Sequence, residues 1–469
     1  MAALLMTFDE ISLSAGFEVF RGNGGDEGFS SVCIDSREVS PGALFVALSG
    51  AVQDGHSYIE AALKAGASGI MAAKSGLKQF NPQNLVKKWG KTLIVAEDTL
   101  WGLQNAARIY LEKFPRLLRI AVTGSSGKTT TKEIAAAIIG REKNIVINSG
   151  NLNSETGLPL SVFNVRQEHE AGIFEAGMNR RGEIAELAEV LKPNIALITN
   201  IGSAHIGILG SKRAIAEEKK KIFSQFSGKE TALIPADCGF SDFLASGVAG
   251  RTIFYGKKYP ELEGIADRGL DGTEINWAGK KIIFPLPGIF NFENALAAIA
   301  IAREIPVSNK SIQDGLESVK PLFGRGEIFR GRITLIRDCY NSNPESLAGA
   351  LSYCDSVEWS GRKVYILGSM LELGSICEEA HREMGRSLSA SKADMIFLYG
   401  AETSAAAEQL ASRGIPFFGT EDMGELKKAV EKYLEPGDLV LLKGSRGCAL
   451  EELTPVLTGE LQPQEALID

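Results

Sequence analysis

The hydrophobic positions of the chain form short apolar runs separated by stretches with helical spacing, and this alternation predicts an α/β protein. In the middle of the chain these runs are of the fully buried type, which is typical of parallel sheets covered by helices on both faces. The predicted strands of this part are residues 119–123, 173–175, 195–199 and 232–234. Ligands of such sheets bind beyond the carboxyl ends of the strands, so those ends are searched first for chemistry.

The alternation of strands and helices restarts along the chain, and it divides the 469 residues into three predicted domains. These are a small α/β domain at 1–96, the parallel-sheet domain at 97–324 and a second, smaller doubly wound domain at 325–469. Helices are predicted at 58–64 in the first domain and at 376–388 in the last. The strands predicted outside the middle domain are 43–48, 69–72, 92–96, 333–337, 364–367, 395–398 and 440–442.

The amino-acid composition indicates which binding partners and which cellular locations to expect for this protein. The net charge is -8 and no block of basic residues occurs, which disfavours a nucleic acid as partner. No run approaches the roughly 18 apolar residues of a membrane span, and the N-terminal MAALLMTFDE is too short and acidic for a signal peptide. We therefore expect a cytoplasmic protein without membrane insertion. The six cysteines show no close pairing, which disfavours a zinc site and a disulfide framework.

The segment RIAVTGSSGKTTTK at 119–132 is typical of a phosphate-binding loop. Gly124 and Gly127 allow a tight turn whose N–H groups can bind phosphate oxygens at the start of the next helix. Lys128 can reach the β and γ phosphates, and the Thr129 hydroxyl can bind Mg2+. Val122 stands where the standard pattern has glycine. The strand before the loop and the helix after it favour a nucleotide site over a structural turn.

Two further polar side chains follow strands of the same predicted sheet. Glu175 ends the apolar strand IFE, and His205 follows the strand at 195–199. Together they could hold Mg2+ or Mn2+ near the γ phosphate, since phosphates would supply the remaining ligands. The alternative for His205 is a hydrogen-bonded loop histidine. The run Lys219 to Lys221, taken alone, is a solvated charged face.

The chain resembles the Mur ligase family, the ATP-dependent enzymes that form amide bonds in peptidoglycan synthesis. The resemblance runs from Asp35 to Glu451, and the order and spacing of its motifs are specific. These motifs are DSREVSPGALFVAL, DGHSYIEAA, TGSSGKTTTKE, NSGNLNSETGLP, FEAGMNRRGEI, TNIGSAHIG, EEKKKIF, NFENALAAIA, GRGE, RDCYNSNPESL, LGSMLELG with HREMG, and LLKGSRG.

Within the family the chain is most similar to members that add D-alanyl-D-alanine to UDP-N-acetylmuramoyl-tripeptide. The SSGKTTTKE loop, YNSNP, and LELG with HREMG carry this similarity. Members that add the third residue usually carry an N-P-R motif, and none occurs here. A third-residue ligase, a folylpolyglutamate- or cyanophycin-type ligase and an inactive scaffold homologue are the alternatives. The DSR and DGH segments disfavour the folate type, and the retained Lys128, Glu175 and His205 disfavour a scaffold.

The resemblance implies a fold and a reaction. The first domain would bind the UDP end of the precursor, a central P-loop ATPase-type domain would bind ATP and metal, and a Rossmann-like C-terminal domain would bind the dipeptide. The precursor carboxylate would attack the γ phosphate, giving an acyl phosphate and ADP, and the incoming amine would then displace phosphate. No protein nucleophile is needed. The resemblance also implies a monomer with a part in cell-wall biogenesis, cell shape and cell division.

The resemblance also implies site residues. Lys128, Glu175, His205 and Lys219 would be the catalytic set. Two Mg2+ ions are expected, one on Thr129 and Glu175 and the second near His205, with a carbamoylated lysine at Lys219 or, if the register differs by one, Lys220. The residues expected on ATP are Thr123, Gly124, Ser125, Ser126, Gly127, Lys128, Thr129, Thr130, Asn291, Asn294, Arg325 and Asp338.

The two other substrates are expected on separate residues. Those for the precursor are Ser36 and Arg37 near the uridine diphosphate, with Asn151, Asn153 and Thr156 near the muramoyl peptide. Those for the dipeptide are Asn341, Asn343, Lys443, Ser445 and Arg446. Arg446 could pair with a terminal carboxylate, because a guanidinium group binds it bidentately, or it could form a surface salt bridge.

The chain departs from the family pattern at a few positions. Phe290 stands where relatives often have histidine, and Ser369 stands where aspartate is frequent. Gly447 and Cys448 follow the KGSR segment in place of bulkier residues. These changes affect the expected adenosine and dipeptide contacts and leave the phosphate loop and metal ligands intact.

Overall fold

The computed structural model describes residues 3–50, 53–256 and 259–459. The outer ends of the first and last predicted domains, residues 1–2 and 460–469, lie outside the described residues. The predicted α/β class with parallel sheets is confirmed, because three of the sheets are parallel or largely parallel. Among the described residues, no helix combines the length and apolar composition that a membrane span requires.

The N-terminal part is built on a five-stranded sheet. In spatial order its strands are Phe17–Phe20, Thr92–Ala96, Gly69–Ala73, Ala43–Val46 and Ser31–Cys33. The first pair is antiparallel and the others are parallel. A two-stranded ribbon pairs Met6–Thr7 with Gly28–Phe29. The helices of this part are Phe8–Ser12, Ile59–Lys64 and Pro82–Trp89, with 3-10 turns at Gly55–Tyr58 and Lys74–Gln79.

The central sheet has six strands, all parallel. Their spatial order is Arg251–Tyr255, Thr231–Pro235, Ile195–Ile198, Leu118–Thr123, Ala171–Glu175 and Ile145–Ile147. The strand that leads into the phosphate loop therefore lies between the strands that end near Glu175 and His205. Parallel strands end at one edge of a sheet, so this order brings the three segments together.

Helices cover both faces of the central sheet. Alternate strand residues point to opposite faces, and they belong to two separate apolar cores. Ala121, Phe174 and Ile198 lie in the core shared with the N-terminal part. Ile120 and Leu197 lie in the core on the other face, against the helix Ile289–Arg303. The central helices are Thr99–Glu112, Lys128–Ile139, Gly157–Val162, Glu183–Leu191, Ile206–Leu209, Lys212–Lys220, Ser241–Ala245, Ile289–Arg303 and Asn309–Glu317, with 3-10 turns at Lys221–Phe223 and Gly269–Asp271.

A three-stranded antiparallel sheet, which the sequence pattern did not predict, packs beside the second core. Its strands are Leu262–Asp267, Thr273–Trp277 and Lys280–Phe284. Trp277, the last residue of the middle strand, is fully buried, and its Nε1 donates a hydrogen bond to Asn309 Oδ1 at 3.2 Å. The strand alternates buried and half-buried residues, so a signal with period two was present.

Replacing Trp277 by alanine tests the contribution of this sheet to stability. We expect the free energy of unfolding to fall by about 3–5 kcal/mol, because a large buried ring is lost and a cavity remains. The measurement is the urea midpoint of the transition. Ile283→Ala, on the neighbouring strand and exposed, is the matched control and should change stability by no more than about 0.5 kcal/mol. A similar loss in both variants would contradict the role of Trp277.

The C-terminal part contains a second six-stranded sheet. In spatial order its strands are Glu327–Arg330, Thr334–Arg337, Leu439–Lys443, Lys363–Gly368, Met395–Tyr399 and Phe417–Thr420. Only the first pair is antiparallel. The helices are Pro344–Ser356, Cys377–Ser389, Ser404–Ser412, Met423–Tyr433 and Thr454–Thr458, with 3-10 turns at Gly374–Ile376, Ala401–Thr403, Arg446–Cys448 and Leu450–Leu453.

Candidate functional site

The phosphate loop joins the strand Leu118–Thr123 to the helix Lys128–Ile139. Gly127 precedes the helix with φ 76°, and a Cβ there would lie 2.1 Å from Asn294 Oδ1. A Cβ on Gly124 would lie 1.8 Å from Thr199 Oγ1. Residues other than glycine are therefore excluded at both positions. The Ser126 N–H donates to Asn200 Oδ1 at 3.0 Å, which fixes the loop to the end of the neighbouring strand.

Lys128 lies at the start of the helix, half-buried, and its Nζ donates to the carbonyl oxygen of Gly124 at 3.0 Å. Burial lowers the pKa of Lys128, the charge of Glu175 opposes this, and the charge of Arg325 lowers the pKa further. Arg325 belongs to the C-terminal part, so a cation from that part lies close enough to act on the phosphate loop. This is the side from which the sequence predicted it to reach ATP.

Glu175 connects the phosphate loop to the segment that follows the strand Ile145–Ile147. Its carboxylate is buried and accepts hydrogen bonds from Thr129 Oγ1 at 2.7 Å and Asn153 Nδ2 at 2.6 Å. A hydroxyl and a carboxylate at this distance, beside a phosphate loop, are hard oxygen donors that suit Mg2+. Thr129 and Glu175, which the sequence predicted to serve one Mg2+ ion, are in hydrogen-bond contact, and their oxygens fit a divalent cation.

His205 lies at the end of the next strand, with a left-handed backbone at φ 62°. Its Nδ1 lies 2.9 Å from Oε2 of Glu372, which belongs to the C-terminal part. Both His205 and Glu175 line the same cavity. The expectation that these two residues lie at one rim agrees with this arrangement, but Glu372 was not foreseen.

The three consecutive lysines have different surroundings. Lys219 is 1% exposed, and burial, reinforced by the charge of Lys128, lowers its pKa well below the usual value, against the opposing charges of Glu218 and Glu175. Lys220 donates to the carbonyl of Phe243 at 2.8 Å, and Lys221 pairs with Glu218 at 2.7 Å. A solvated charged face therefore does not describe Lys219, and the structure favours Lys219 over Lys220 as the lysine near the phosphate loop.

A cavity of about 890 Å³ lies between the central and C-terminal parts. The predicted nucleotide residues that line it are Ser125, Ser126, Gly127, Lys128, Thr129, Thr130, Asn291, Asn294, Arg325 and Asp338. The predicted substrate residues that line it are Asn151, Asn153, Asn341, Asn343, Lys443 and Arg446. Among the described residues, the predicted site residues outside this lining are Ser36, Arg37, Thr123, Gly124, Thr156, Lys219 and Ser445.

Several predicted dipeptide residues also have structural partners. Lys443 is buried and pairs with Asp338 Oδ2 at 2.7 Å. Asn343 Oδ1 accepts from the N–H of Ser346 at 2.9 Å and so caps the helix Pro344–Ser356. Arg446 pairs with Glu451, so the salt bridge considered for it is present, although Arg446 still lines the cavity.

The remaining predicted residues have local partners as well. Ser445 Oγ accepts from the N–H of Leu371 at 2.9 Å and supports the loop that carries Glu372. Arg37 pairs with Asp35 at 2.6 Å on the N-terminal part. Thr156 precedes the helix Gly157–Val162. Arg37, Thr156 and Ser445 therefore have local structural contacts and lie outside the cavity lining.

The residues that depart from the family pattern have clear places. Phe290 lines the cavity and packs edge-on against Tyr353 of the C-terminal part, with ring centroids 6.4 Å apart. Ser369 is buried, and its carbonyl oxygen lies 3.5 Å from Cys448 Sγ. The Phe290 ring therefore bridges two parts of the molecule, which a histidine would do less well because of its polarity.

Glu345 was missed as a residue of the site. Its carboxylate accepts from the Ser203 N–H at 3.0 Å and Ser203 Oγ at 2.8 Å, and it pairs with Lys212 at 2.8 Å. Burial raises the pKa of Glu345, but the bonds from Lys212 and Ser203 outweigh it and the net pKa is lowered. An acidic residue in the first turn of a helix is common for dipole reasons, so the sequence carried no distinct signal.

Comparisons with known proteins agree with this geometry. Three family models match the chain: the Mur ligase family catalytic domain at 29–98, the Mur ligase middle domain at 122–302, and the Mur ligase glutamate ligase domain at 324–446. The UDP-N-acetylmuramoyl-tripeptide–D-alanyl-D-alanine ligase of Treponema pallidum is 42% identical over 461 residues, covering 97% of this chain and 100% of that protein. The chain belongs to the Mur ligase family.

Two solved MurF structures are similar to this Mur ligase over most of its length. A crystal structure of MurF from Acinetobacter baumannii superposes with a TM-score of 0.82 at 28% identity, covering 92% of this chain and 94% of that one. The MurF ligase of Thermotoga maritima, solved in complex with ADP, gives a TM-score of 0.77 at 27% identity, covering 91% and 96%. The predicted three-domain Mur ligase fold is thereby confirmed.

Proposed function

We propose that this Mur ligase joins D-alanyl-D-alanine to UDP-N-acetylmuramoyl-tripeptide in peptidoglycan precursor synthesis, converting ATP to ADP and phosphate. The observation that carries the proposal is the 42% identity, over nearly the full length of both chains, to a ligase of that name. The ADP complex of the Thermotoga maritima ligase supports the use of ATP. The cavity supports it too, because phosphate-loop residues and C-terminal residues line one space.

The reaction needs two anions to approach each other. The precursor carboxylate attacks the γ phosphate, the bond to the β phosphate oxygen breaks, and an acyl phosphate and ADP result. The amine of the dipeptide then attacks the acyl carbon and loses a proton, and phosphate leaves from the tetrahedral intermediate. Lys128 and Arg325 supply fixed positive charge at the phosphates, which lowers the barrier because the charges are already in place.

Thr129 and Glu175 are the residues that would hold a Mg2+ ion, and His205 would serve a second. When bound, such ions neutralise phosphate charge. Thr129 Oγ1 and Glu175 Oε2 lie 2.7 Å apart, so both oxygens can face one ion without rearrangement of the sheet. Asn153, which donates to the other oxygen of Glu175, holds the carboxylate in this orientation.

Lys219 is the lysine that we propose to be carbamoylated. Carbamate formation requires a neutral amine, which attacks CO2 and loses a proton. Burial lowers the pKa of Lys219 well below its usual value, which favours the neutral amine. The product would be an anion that completes the surroundings of the second metal ion. Lys220 donates to backbone carbonyls and to Ser246, which disfavours it for this role.

Each of the other substrates would bind a different part of the molecule. The N-terminal part, with Ser36 and Arg37, would bind the uridine diphosphate end, and Asn151, Asn153 and Thr156 would contact the muramoyl peptide. The C-terminal residues Asn341, Asn343, Lys443, Ser445 and Arg446 would bind the dipeptide. Asn291 and Asn294 would contact the adenosine. A cytoplasmic location and a monomeric state stay predictions.

Phosphate release is the direct test of this function. We expect the purified protein to release phosphate from ATP only when UDP-N-acetylmuramoyl-tripeptide and D-alanyl-D-alanine are both present, because the first makes the acyl phosphate and the second completes turnover. The controls omit one substrate at a time. Equal release with D-glutamate or a single diamino acid in place of the dipeptide would refute the assignment and favour another ligase of the family.

A further inference from the structure

Two carboxylates of the C-terminal part contact the central segment that carries His205. Glu372 lies in the loop after the strand Lys363–Gly368, and its Oε2 lies 2.9 Å from His205 Nδ1. Its carbonyl oxygen also accepts from the Gly207 N–H at 3.1 Å. Glu345 contacts Ser203 and Lys212, which lie on either side of His205 in the chain. The C-terminal part therefore contacts this segment at four residues: Ser203, His205, Gly207 and Lys212.

The backbone at this contact is held in an uncommon conformation on both sides. His205 and Glu372 each have φ 62°, although neither is glycine. Left-handed backbone is unfavourable for residues with a side chain, so it persists where neighbouring contacts stabilise it. The two residues that meet across the parts therefore both have a backbone conformation that surrounding contacts must stabilise.

The carboxylate of Glu372 lies near Nδ1 of His205, and this affects how Nε2, the other ring nitrogen, can bind a ligand. A histidine binds a metal ion through an unprotonated nitrogen, and the partner of the second nitrogen determines which one is free. A carboxylate oxygen 2.9 Å from Nδ1 favours the tautomer that carries the proton on Nδ1, although Nδ1 forms no hydrogen bond of regular geometry with the described residues in this arrangement. Nε2 is then the nitrogen available to a ligand.

We propose that Glu372 is a positioning residue that orients His205 for metal binding, and that it does so only while Glu345 docks the C-terminal part on the central part. The proposal rests on the metal role proposed above for His205. Under it, binding of the metal–nucleotide complex and docking of the C-terminal part favour each other, because the same segment takes part in both. The metal site on the ATP side is then complete only when the domain that receives the dipeptide is in place.

The test is a titration of the full-length protein with Mn2+ in the presence of ADP, with free Mn2+ measured by electron paramagnetic resonance. Glu372→Gln keeps the size of the side chain and removes its charge, and we expect it to weaken Mn2+ binding by about tenfold. Glu372→Asp keeps the carboxylate and should recover part of the affinity. Glu378→Gln, on an exposed glutamate of the same part, is the matched control and should bind as the unchanged protein does.

Dependence on docking is measured with Glu345→Gln. We expect this variant to weaken Mn2+ binding as well, and the double variant to be no weaker than Glu372→Gln alone, because the orientation of His205 is lost only once. If the double variant loses Mn2+ affinity by the product of the two single losses, the dependence on docking is overturned. Melting temperatures of all variants establish that each is folded.

The outcomes separate this proposal from the function beneath it. If His205→Ala loses Mn2+ affinity and Glu372→Gln does not, the orienting role of Glu372 is overturned and the metal role of His205 stands. If His205→Ala binds Mn2+ with unchanged affinity, the metal role falls and the proposal falls with it. Phosphate release that requires both substrates would still support the ligase function in either case.

Discussion

Replacing Lys128 by alanine is expected to lower kcat by at least about 10³-fold, because a fixed positive charge next to the transferring phosphate is removed. The fold should persist, since among the described residues the ammonium group donates one hydrogen bond, to the Gly124 carbonyl, and the side chain is half-buried. The measurement is phosphate release with both substrates saturating, together with the melting temperature. Lowered turnover with an unchanged melting temperature assigns the loss to chemistry.

The control for Lys128 is Lys229→Ala, an exposed lysine of the central part outside the cavity lining. It removes the same charge from the same domain and should leave kcat within about twofold, because salt and water screen an exposed charge that does not line the cavity. Retention of a tenth or more of the original turnover by Lys128→Ala would contradict the phosphate role.

Replacing Lys219 by alanine is expected to lower kcat by at least about 10²-fold, since a group that completes the metal surroundings is lost. Lys220→Ala is a natural control, because the adjacent lysine is on the surface of the same helix end and donates to Phe243 and Ser246. It should retain close to full turnover. A short carboxylic acid added to Lys219→Ala should restore part of the activity by supplying the missing carboxylate.

A separate measurement tests the carbamate itself. Protein equilibrated with ¹³C-bicarbonate should show a carbamate carbon signal by NMR that is absent from Lys219→Ala and present in Lys220→Ala. If Lys220→Ala loses the signal and the activity, the modified residue is one position further along the chain. If neither variant loses a signal and both remain active, the carbamate proposal is refuted.

The sequence predicted the sheets well where strands are fully buried. Such runs are nearly continuous in apolar residues, and the predicted strand at 195–199 differs from Ile195–Ile198 by a single residue. The antiparallel sheet was missed. Ala278 and Gly279 both have positive φ at the turn between its last two strands, and an alanine in the sequence does not indicate such a backbone. Its alternating pattern is weaker per residue, and the short strands lie within a stretch that was interpreted as part of a parallel domain.

The candidate site was predictable where chemistry follows strand ends. Gly124, Gly127, Glu175 and His205 all lie at one edge, because parallel strands end together. The three lysines at 219–221 look equivalent in the sequence, yet a helix turns about 100° per residue and gives each a different neighbour. Only the packed helix distinguishes Lys219 from Lys220.

Contacts between domains were not predictable from the sequence. Ser203 and Glu345 are 142 positions apart, and neither has a local pattern that names the other. Glu372 belongs to a motif that was recognised, but its contact with His205 was not predicted. The meeting of the two depends on how separate folded parts dock, and that is determined by surfaces that assemble after each part has its own core.

The backbone contact near His205 also determines how close the two parts can come. A Cβ on Gly207 would lie 2.6 Å from the Gly374 nitrogen, and a Cβ on Gly374 would lie 2.5 Å from the Gly207 Cα. Because neither residue has a side chain, the two backbones can approach closely, and this approach limits the distance between the two parts beside the cavity. A single methyl group at Gly207 would push the loop that carries Gly374 away from the central part and would separate the two parts beside the cavity.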